Sequence, residues 1–358
     1  MGIREQRTMN IRICSHSKIA VIALASCLVA TFTPVKAQQS PAVKIAIGGT
    51  DVGGVVTSVN GPEAGVWVIA ETADLPTKFA KMVVTDERGR YVIPELPKGK
   101  YNVWVRGYGL VDSQKVNATP GQQLNLTAVP APTAAAAAEY YPGVYWYSML
   151  QIPDKSLFPG TGPNGNSISP LMKTQQDWID TIKNSCQSCH ALGSQGVRRI
   201  PAAWGHFDNS IDAWTKRTQA GQAQANMAIT LGQLGRKKAI ELFADWTDRI
   251  AAGELPSAKP QRPQGVERNV VISMWEWSTP KAYLHDEIST DKRNPRVNAN
   301  GLIYGSPEES TEMVPVLNPI TNETWQIKHP YRDPDTPSSL DYSHGHSVYW
   351  GDQQIWDG

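Results

Sequence analysis

Cysteine is scarce. The 358 residues hold four, and Cys14 and Cys27 fall in a leader-like first stretch, leaving only Cys186 and Cys189 beyond it. A closed structural zinc site would want two more Cys or His ligands at similar spacing, and none stands nearby. An excess of either charge sign is also lacking: 34 Lys and Arg face 33 Asp and Glu, a formal net charge of +1. The first 37 residues hold five of the basic residues and one Glu. The remainder therefore carries 29 against 32, a balance of −3. Such a balance gives no electrostatic case for nucleic acid or an anionic membrane. No apolar run is long enough for a comfortable membrane span, since Ile19 to Phe32 is short and is soon broken by Pro34. Neither G-x-S-x-G nor H-E-x-x-H occurs, and no nucleophile–base constellation stands out.

What is present begins with an export signal. Arg4, Arg7, Arg12 and Lys18 make a basic start, an apolar stretch follows, and Val35-Lys36-Ala37 is an A-x-A-like cleavage site. This predicts a signal peptide over 1–37 and a periplasmic or otherwise exported chain. Leu24-Ala25-Ser26-Cys27 also resembles a lipoprotein box, so membrane contact is expected only if Cys27 is acylated.

Length predicts two or three domains. Glycine (29) and proline (26) are frequent and scattered, which favours a β-rich chain with long loops over a helical bundle. Residues 42–129 read as short strands, at Val52–Val59, Ala64–Glu71, Lys81–Thr85, Tyr91–Ile93, Tyr101–Val105 and Gln123–Thr127, parted by strong turn formers such as Asn60-Gly61-Pro62 and Lys98-Gly99. That spacing predicts a small Ig-like β-sandwich. Within it, Trp67 and Trp104 read either as core and surface residues or as a sugar-stacking face. Pro130-Ala131-Pro132-Thr133 and five alanines open a linker over 130–164. Thr174-x-x-Asp177 is a helix start leading toward Cys186, and Arg236 to Ala252 carries apolar residues at helical spacing, stopped by Gly253 and Pro256. Asn269 to Trp277 is a strand candidate opening a third segment, 265–358.

Cys186-Gln187-Ser188-Cys189-His190 reads as C-x-x-C-H, the attachment pattern of a c-type haem. Two thiols one helical turn apart can each add to a vinyl group of one porphyrin, and the adjacent imidazole then meets the iron. A thioredoxin-like redox pair, a zinc site and a plain disulfide are the other readings of these residues. On the haem reading His190 is the proximal ligand, and the distal position is taken by Met227, which follows the motif and precedes the last helix, or by another group, or is open. His206 is the rival sixth ligand; Met172 and Met274 are less well placed in the chain. Trp204, Trp214 and Trp246 cover the macrocycle or fill a small core, and Arg198 and Arg199 either pair with propionates or face water. His344 and His346, with His285, could seed a separate metal site.

Three resemblances accompany these readings. Thr85-Asp86, Gly89-Arg90-Tyr91 and Leu96-Pro97-Lys98-Gly99-Lys100-Tyr101 resemble the carboxypeptidase regulatory-like (transthyretin-like) domain, which implies a non-catalytic accessory sandwich. A helix into C-x-x-C-H followed by a closing helix resembles the class I cytochrome c fold over 165–255, an all-α domain carrying one covalent haem c; the resemblance implies Met227 as the distal ligand and the Pro201 carbonyl as acceptor for the second nitrogen of His190. His346 to Gly358 is similar to part of one repeat of streptogramin-lyase-like (NHL-type) β-propellers. The third segment is thus expected to be an incomplete propeller, and the sequence the N-terminal part of a longer protein. Together they imply a periplasmic electron carrier that serves a redox partner protein or a quinone-linked or periplasmic dehydrogenase. Two alternatives stand beside it: the haem-relay part of a propeller-containing oxidoreductase or lyase-like enzyme, and a surface protein binding a polysaccharide or a partner.

Overall fold

The structure is a computed structural model that describes residues 45–188, 190–200, 204–220, 224–277, 284–285, 293–294, 296–307 and 313–328. Contacts divide the chain after Lys44; the expected leader, with Cys14 and Cys27, lies outside the described residues, and the fold is that of Ile45 onward. Short strands come first: β1 (Val52–Ser58), β2 (Gly61–Pro62), β3 (Trp67–Thr72), β4 (Phe79–Val84), β5 (Arg90–Ile93), β6 (Tyr101–Arg106), β7 (Leu110–Val111), β8 (Val116–Ala118), β9 (Leu126–Thr127) and β10 (Val129–Pro130). After the helical stretch come β11 (Val271–Trp275), β12 (Leu284–His285), β13 (Ile303–Tyr304), β14 (Ser306–Pro307), β15 (Met313–Asn318) and β16 (Glu323–Lys328).

Two sheets form a β-sandwich-like body. One runs β2-β1-β5, with β9 parallel to β1; the other runs β11-β4-β3-β6-β8. Period-two alternation sorts the side chains. Val68 and Ala70 of β3, Val103 and Val105 of β6 and Phe79 and Val83 of β4 meet Val52 and Val56 of β1 and Tyr91 and Ile93 of β5 in a single core. The alternate residues Ile69, Ala80 and Trp104 form a second cluster with Trp67, Met82 and Met274. The turn into β5 is fixed by the Asp86 carboxylate, which accepts from the amides of Arg88 and Arg90 at 2.8 and 2.9 Å. Gly89 is required there: its φ is +71°, and a Cβ would stand 2.4 Å from the Val56 carbonyl.

The five-stranded sheet is completed from far along the chain. β11 pairs antiparallel with β4 from Val271↔Val83 to Trp275↔Phe79, and the Trp275 and Phe79 rings lie 5.6 Å apart. Arg262 fastens this return, donating from Nε to the Tyr108 carbonyl at 2.9 Å and from Nη1 to Glu63 at 2.5 Å.

Between the two visits lie α1 (Ala134–Ala138), α2 (Gly143–Tyr147), α3 (Gln175–Thr181), α4 (Gln195–Arg198), α5 (Ser210–Arg217), α6 (Gln224–Leu234) and α7 (Arg236–Ala251). The Thr174/Asp177 capping box starts α3, which continues as a π-helical turn over Ile182–Cys186. On α7, Ala239, Ile240, Phe243, Ala244 and Trp246 fall on one buried stripe. They meet Trp146, Trp178 and Trp214 in a shared core, where Trp246 Nε1 donates to the Trp146 carbonyl at 2.9 Å.

The central all-α cytochrome c domain expected over 165–255 does not emerge as a separate body. The helical core draws Ala138, Tyr141, Trp146 and Met149 from the stretch read as a linker, and Tyr108 of the sandwich packs against it. The alanine run forms α1, capped by Thr133, because Ala137 and Ala138 are small enough to be buried there. The third segment supplies a strand to the sandwich and a three-stranded antiparallel sheet, β13-β15-β16. The hairpin expected over His346 to Gly358 lies outside the described residues.

Candidate functional site

The haem expectation centred on residues 186–190. There the chain continues the turn begun at Ile182, with the His190 amide donating to the Cys186 carbonyl at 2.9 Å. Cys186 is half-buried against the helical core, while Cys189 and Pro201 lie outside the described residues. Burial, and then the nearby Arg217 guanidinium, push the His190 imidazole down to about 4, so it is neutral near pH 7. Met227 is half-buried on α6. His206 is 88 % exposed in its side chain and 3.9 Å from Asp208.

Arginine dominates the surroundings. Arg198 has a side chain only 3 % exposed, stacked 4.0 Å over the Trp146 ring, with Nε donating to the Gly193 carbonyl at 3.0 Å. Its Nη2 is 3.9 Å from Glu139, whose carboxylate also accepts from Arg199 and, at 3.2 Å, from Gln195. Arg217 donates to the Arg199 and Gly196 carbonyls, which ties it to the C-terminal end of α4. Burial pushes both Arg198 and Arg217 down to about 10, still charged at neutral pH. The expectation that Arg198 faces water is corrected: its stem and ring-stacked head are part of the core.

These residues do not assemble a haem site. Among the described residues no group of three or more His, Cys, Asp or Glu could hold a metal ion. The interior of the helical part is filled by its own side chains, with Trp214 stacked 5.0 Å from Phe243 and 6.2 Å from Trp246. Trp214 and Trp246 are therefore core, not a cover for a macrocycle. A cleft in this part of the molecule is lined from Gly162 to Glu241, and Cys186, His190 and Met227 are not among its walls. The readings of haem c, iron binding, electron transfer and a redox partner are corrected on these grounds. His285 belongs to β12, and His344 and His346 lie outside the described residues.

Comparison with known proteins supplies no family. No family model matches the chain. Curated proteins give no match either. The three resemblances read from the sequence therefore stand corrected as family assignments. One solved structure, a C-terminal interface mutant of a type II cohesin–X-dockerin complex from Acetivibrio cellulolyticus, is similar over 30 % of this chain and 78 % of that one. Its identity is 16 % and its TM-score 0.20, too slight a likeness to build on.

Two features escaped the sequence reading. The first is the cleft, of about 660 Å³, between the loop at 162–170, α5 and the start of α7. The second is a pair of exposed strands. Among the described residues β11 pairs β4 alone and β16 pairs β15 alone, so each has one edge that no described strand covers. Val271 and Ile272 of β11 are 47 % and 40 % exposed, and Trp325 and Ile327 of β16 are 40 % and 46 % exposed. The register Tyr304↔Val316↔Trp325 and Val314↔Ile327 puts Tyr304, Trp325 and Ile327 on one face. Trp275 Nε1 donates to Asn322 Oδ1 at 2.7 Å, which brings the end of β11 beside the β15–β16 turn. Trp67 and Trp104 offer no such surface: Trp104 is 1 % exposed, with the Lys115 ammonium 4.2 Å over its ring, and Trp67 packs edge-on against Tyr108. No helix among the described residues is long and apolar enough to cross a membrane.

Proposed function

We propose that this chain is an exported partner-binding protein that docks a protein through the open edges of β11 and β16. The observation carrying the reading is that two neighbouring strands of five and six residues combine exposed apolar side chains with an edge that no described strand covers. An open edge presents unpaired N–H and C=O groups that an added strand can satisfy, and alternate side chains then select the partner. Trp325 and Tyr304 are residue types that dominate binding energy at such surfaces. The burial of Trp104 removes the stacking platform a polysaccharide reading needs, which favours a protein strand. Export rests on the basic start, apolar stretch and cleavage pattern of the first 37 residues.

Site-specific photo-crosslinking tests this in the exporting cell. A crosslinker at position 327 or 272 should give one discrete adduct, and a crosslinker at Asn117 on the short strand β8 should give none. Trp325→Ala should remove the adduct, since truncating a central aromatic costs about 2 kcal/mol or more. No adduct at 327 and 272, or the same pattern from position 117, would refute the proposal.

A further inference from the structure

Alternate residues of a strand in an antiparallel pair turn both of their backbone groups toward the same neighbour. On β11 the phase is fixed just past its end. The Glu276 amide donates at 2.9 Å to the Lys78 carbonyl, which lies opposite it in the register running on from Trp275↔Phe79. Met274 and Ile272 therefore bond to Ala80 and Met82 of β4. Val271, Ser273 and Trp275 turn their N–H and C=O groups the other way, toward the edge that no described strand covers. The side chains alternate too. Trp275 packs on the sandwich core, and Met274 joins the Ile69, Ala80 and Trp104 cluster on the opposite face.

Outward residues at alternate positions have a centre, Ser273, and the strand fits a copy of itself about it. With a two-fold axis at Ser273, Val271 lies opposite Trp275 of the second copy and Ser273 opposite its counterpart, so every outward group finds a partner. An axis at Ile272 or Met274 leaves Trp275 or Val271 with no strand residue opposite. An axis between residues sets outward groups against groups already bonded to β4. Side-chain sizes agree with the central register. The smallest residue of the strand meets itself, and Val271 meets an indole held by its 2.7 Å bond to Asn322. On the other face Ile272, 40 % exposed, meets Met274 of the second copy. A two-fold sets like charges near one another, but Val271–Trp275 carries none. Glu276, the first charge past the strand, falls opposite Val270 and stands 3.8 Å from Lys78 of its own copy.

We infer that the occupant of the β11 edge is a second copy of this chain, paired antiparallel about Ser273. The inference rests on the docking reading and names its partner. Two five-stranded sheets become one continuous sheet, and Ile272 of each copy extends the Met274 cluster of the other across the join. One strand edge is a small interface, so a dissociation constant on the order of 10 µM is expected.

Sedimentation equilibrium of the purified whole chain up to about 200 µM should show a reversible dimer. Ser273→Pro removes an N–H that points away from β4, in a residue type that edge strands tolerate. It should weaken the dimer about thirtyfold or more and change Tm little. Ser273→Glu and Ser273→Lys each set like charges face to face at the axis, so each should be monomeric alone. An equal mixture of the two should dimerise again, a rescue that no folding defect supplies. The inference is overturned if the unsubstituted chain stays monomeric at about 200 µM, if either charged variant dimerises alone as tightly as the unsubstituted chain, or if the mixture does not dimerise. The docking reading fails separately, by the absence of adducts in the exporting cell. An adduct at position 272 that adds a mass other than one chain, beside a monomeric purified protein, keeps that reading and removes the second copy.

Discussion

Removing Arg262 should loosen the sandwich, although Arg262 lies far outside the sequence segment that builds it. Glu63 is 5 % exposed, and its carboxylate faces Arg262 Nη1 at 2.5 Å. Arg262→Ala deletes that partner and the 2.9 Å bond to the Tyr108 carbonyl, leaving a buried carboxylate alone. Breaking a fully buried pair in this way costs about 3–5 kcal/mol. The Arg262 side chain is 31 % exposed, so water and salt reduce the loss, and about 2–3 kcal/mol is expected. Glu63→Gln keeps an acceptor in place and should cost about 1 kcal/mol. The double variant should then be less unstable than the two losses added, with a coupling of about 1–2 kcal/mol, because no orphaned charge remains. Urea unfolding of the whole chain at neutral pH measures this, with midpoints shifting and the slope m unchanged. Arg268→Ala is the control: its partner Glu87 is 78 % exposed, and a loss of about 0–1 kcal/mol follows. Full additivity of the two changes, or an Arg262→Ala midpoint equal to that of the unmodified chain, would refute the claim that the returning chain is fastened here.

Gly54→Ala should be more damaging than its single methyl suggests, because a Cβ on β1 would stand 1.8 Å from the Leu124 carbonyl in the segment running beside it. Overpacking against backbone costs about 3 kcal/mol, and a urea midpoint unchanged by this substitution would show that β9 can shift aside. Alkaline pH should destabilise the sandwich through Tyr91 and Tyr101, whose hydroxyls donate at 2.7 Å to the Leu124 and Pro97 carbonyls and whose pKa values burial raises. Above about pH 10 an unfolded chain releases phenolic protons that the native state retains, so stability falls as pH rises. Urea midpoints taken between about pH 9 and 11 should decline, and Tyr91→Phe should flatten the decline; an unchanged slope would clear Tyr91.

The strands of the sandwich are legible because each carries its own alternation. Val68 and Ala70 face one way and Trp67 and Ile69 the other, and Asp86 and Gly89 mark the turn between neighbours. The start of α3 is equally local, since Thr174 and Asp177 satisfy each other within one turn. What depends on distant partners is not legible. Asn269 to Trp277 reads as a strand from its composition, yet nothing in it names β4 as its neighbour. Five alanines read as a spacer, although burial of Ala138 depends on a tyrosine and tryptophan core assembled from three other stretches. Arg198 shows the same limit: whether a guanidinium faces water is set by Trp146 and Glu139, more than fifty positions away in the chain. The pattern at 186–190 invited a cofactor on five residues. A macrocycle needs a slot as well, and four tryptophans and Phe243 occupy the interior in which it was expected. The cleft did leave a trace, in the run Arg236-Lys237-Lys238 at a helix start, a pattern that opposes the helix dipole.

Edges of sheets give the docking proposal its physical footing. Proteins limit strand addition by keeping edge strands short, charged or covered. In the sandwich β2 spans two residues and β8 three, too short to template a partner. The longer edge of β4 is covered by β11. That cover moves the open edge outward onto Val-Ile-Ser-Met-Trp, a strand with no charge at all, and the turn bonded to Trp275 leads into β16, whose charges, Glu323 and Lys328, sit only at its ends. Introducing a lysine at the centre of each strand, Ile272→Lys and Ile327→Lys, restores the missing protection. Both positions are 40–46 % exposed, so each lysine can keep its ammonium in water and the fold should lose no more than about 0.5 kcal/mol. If the exposed edges serve a partner, the pair of substitutions abolishes the adduct formed by a crosslinker placed instead at position 271, while thermal unfolding stays where it was. If they are merely tolerated, the adduct persists.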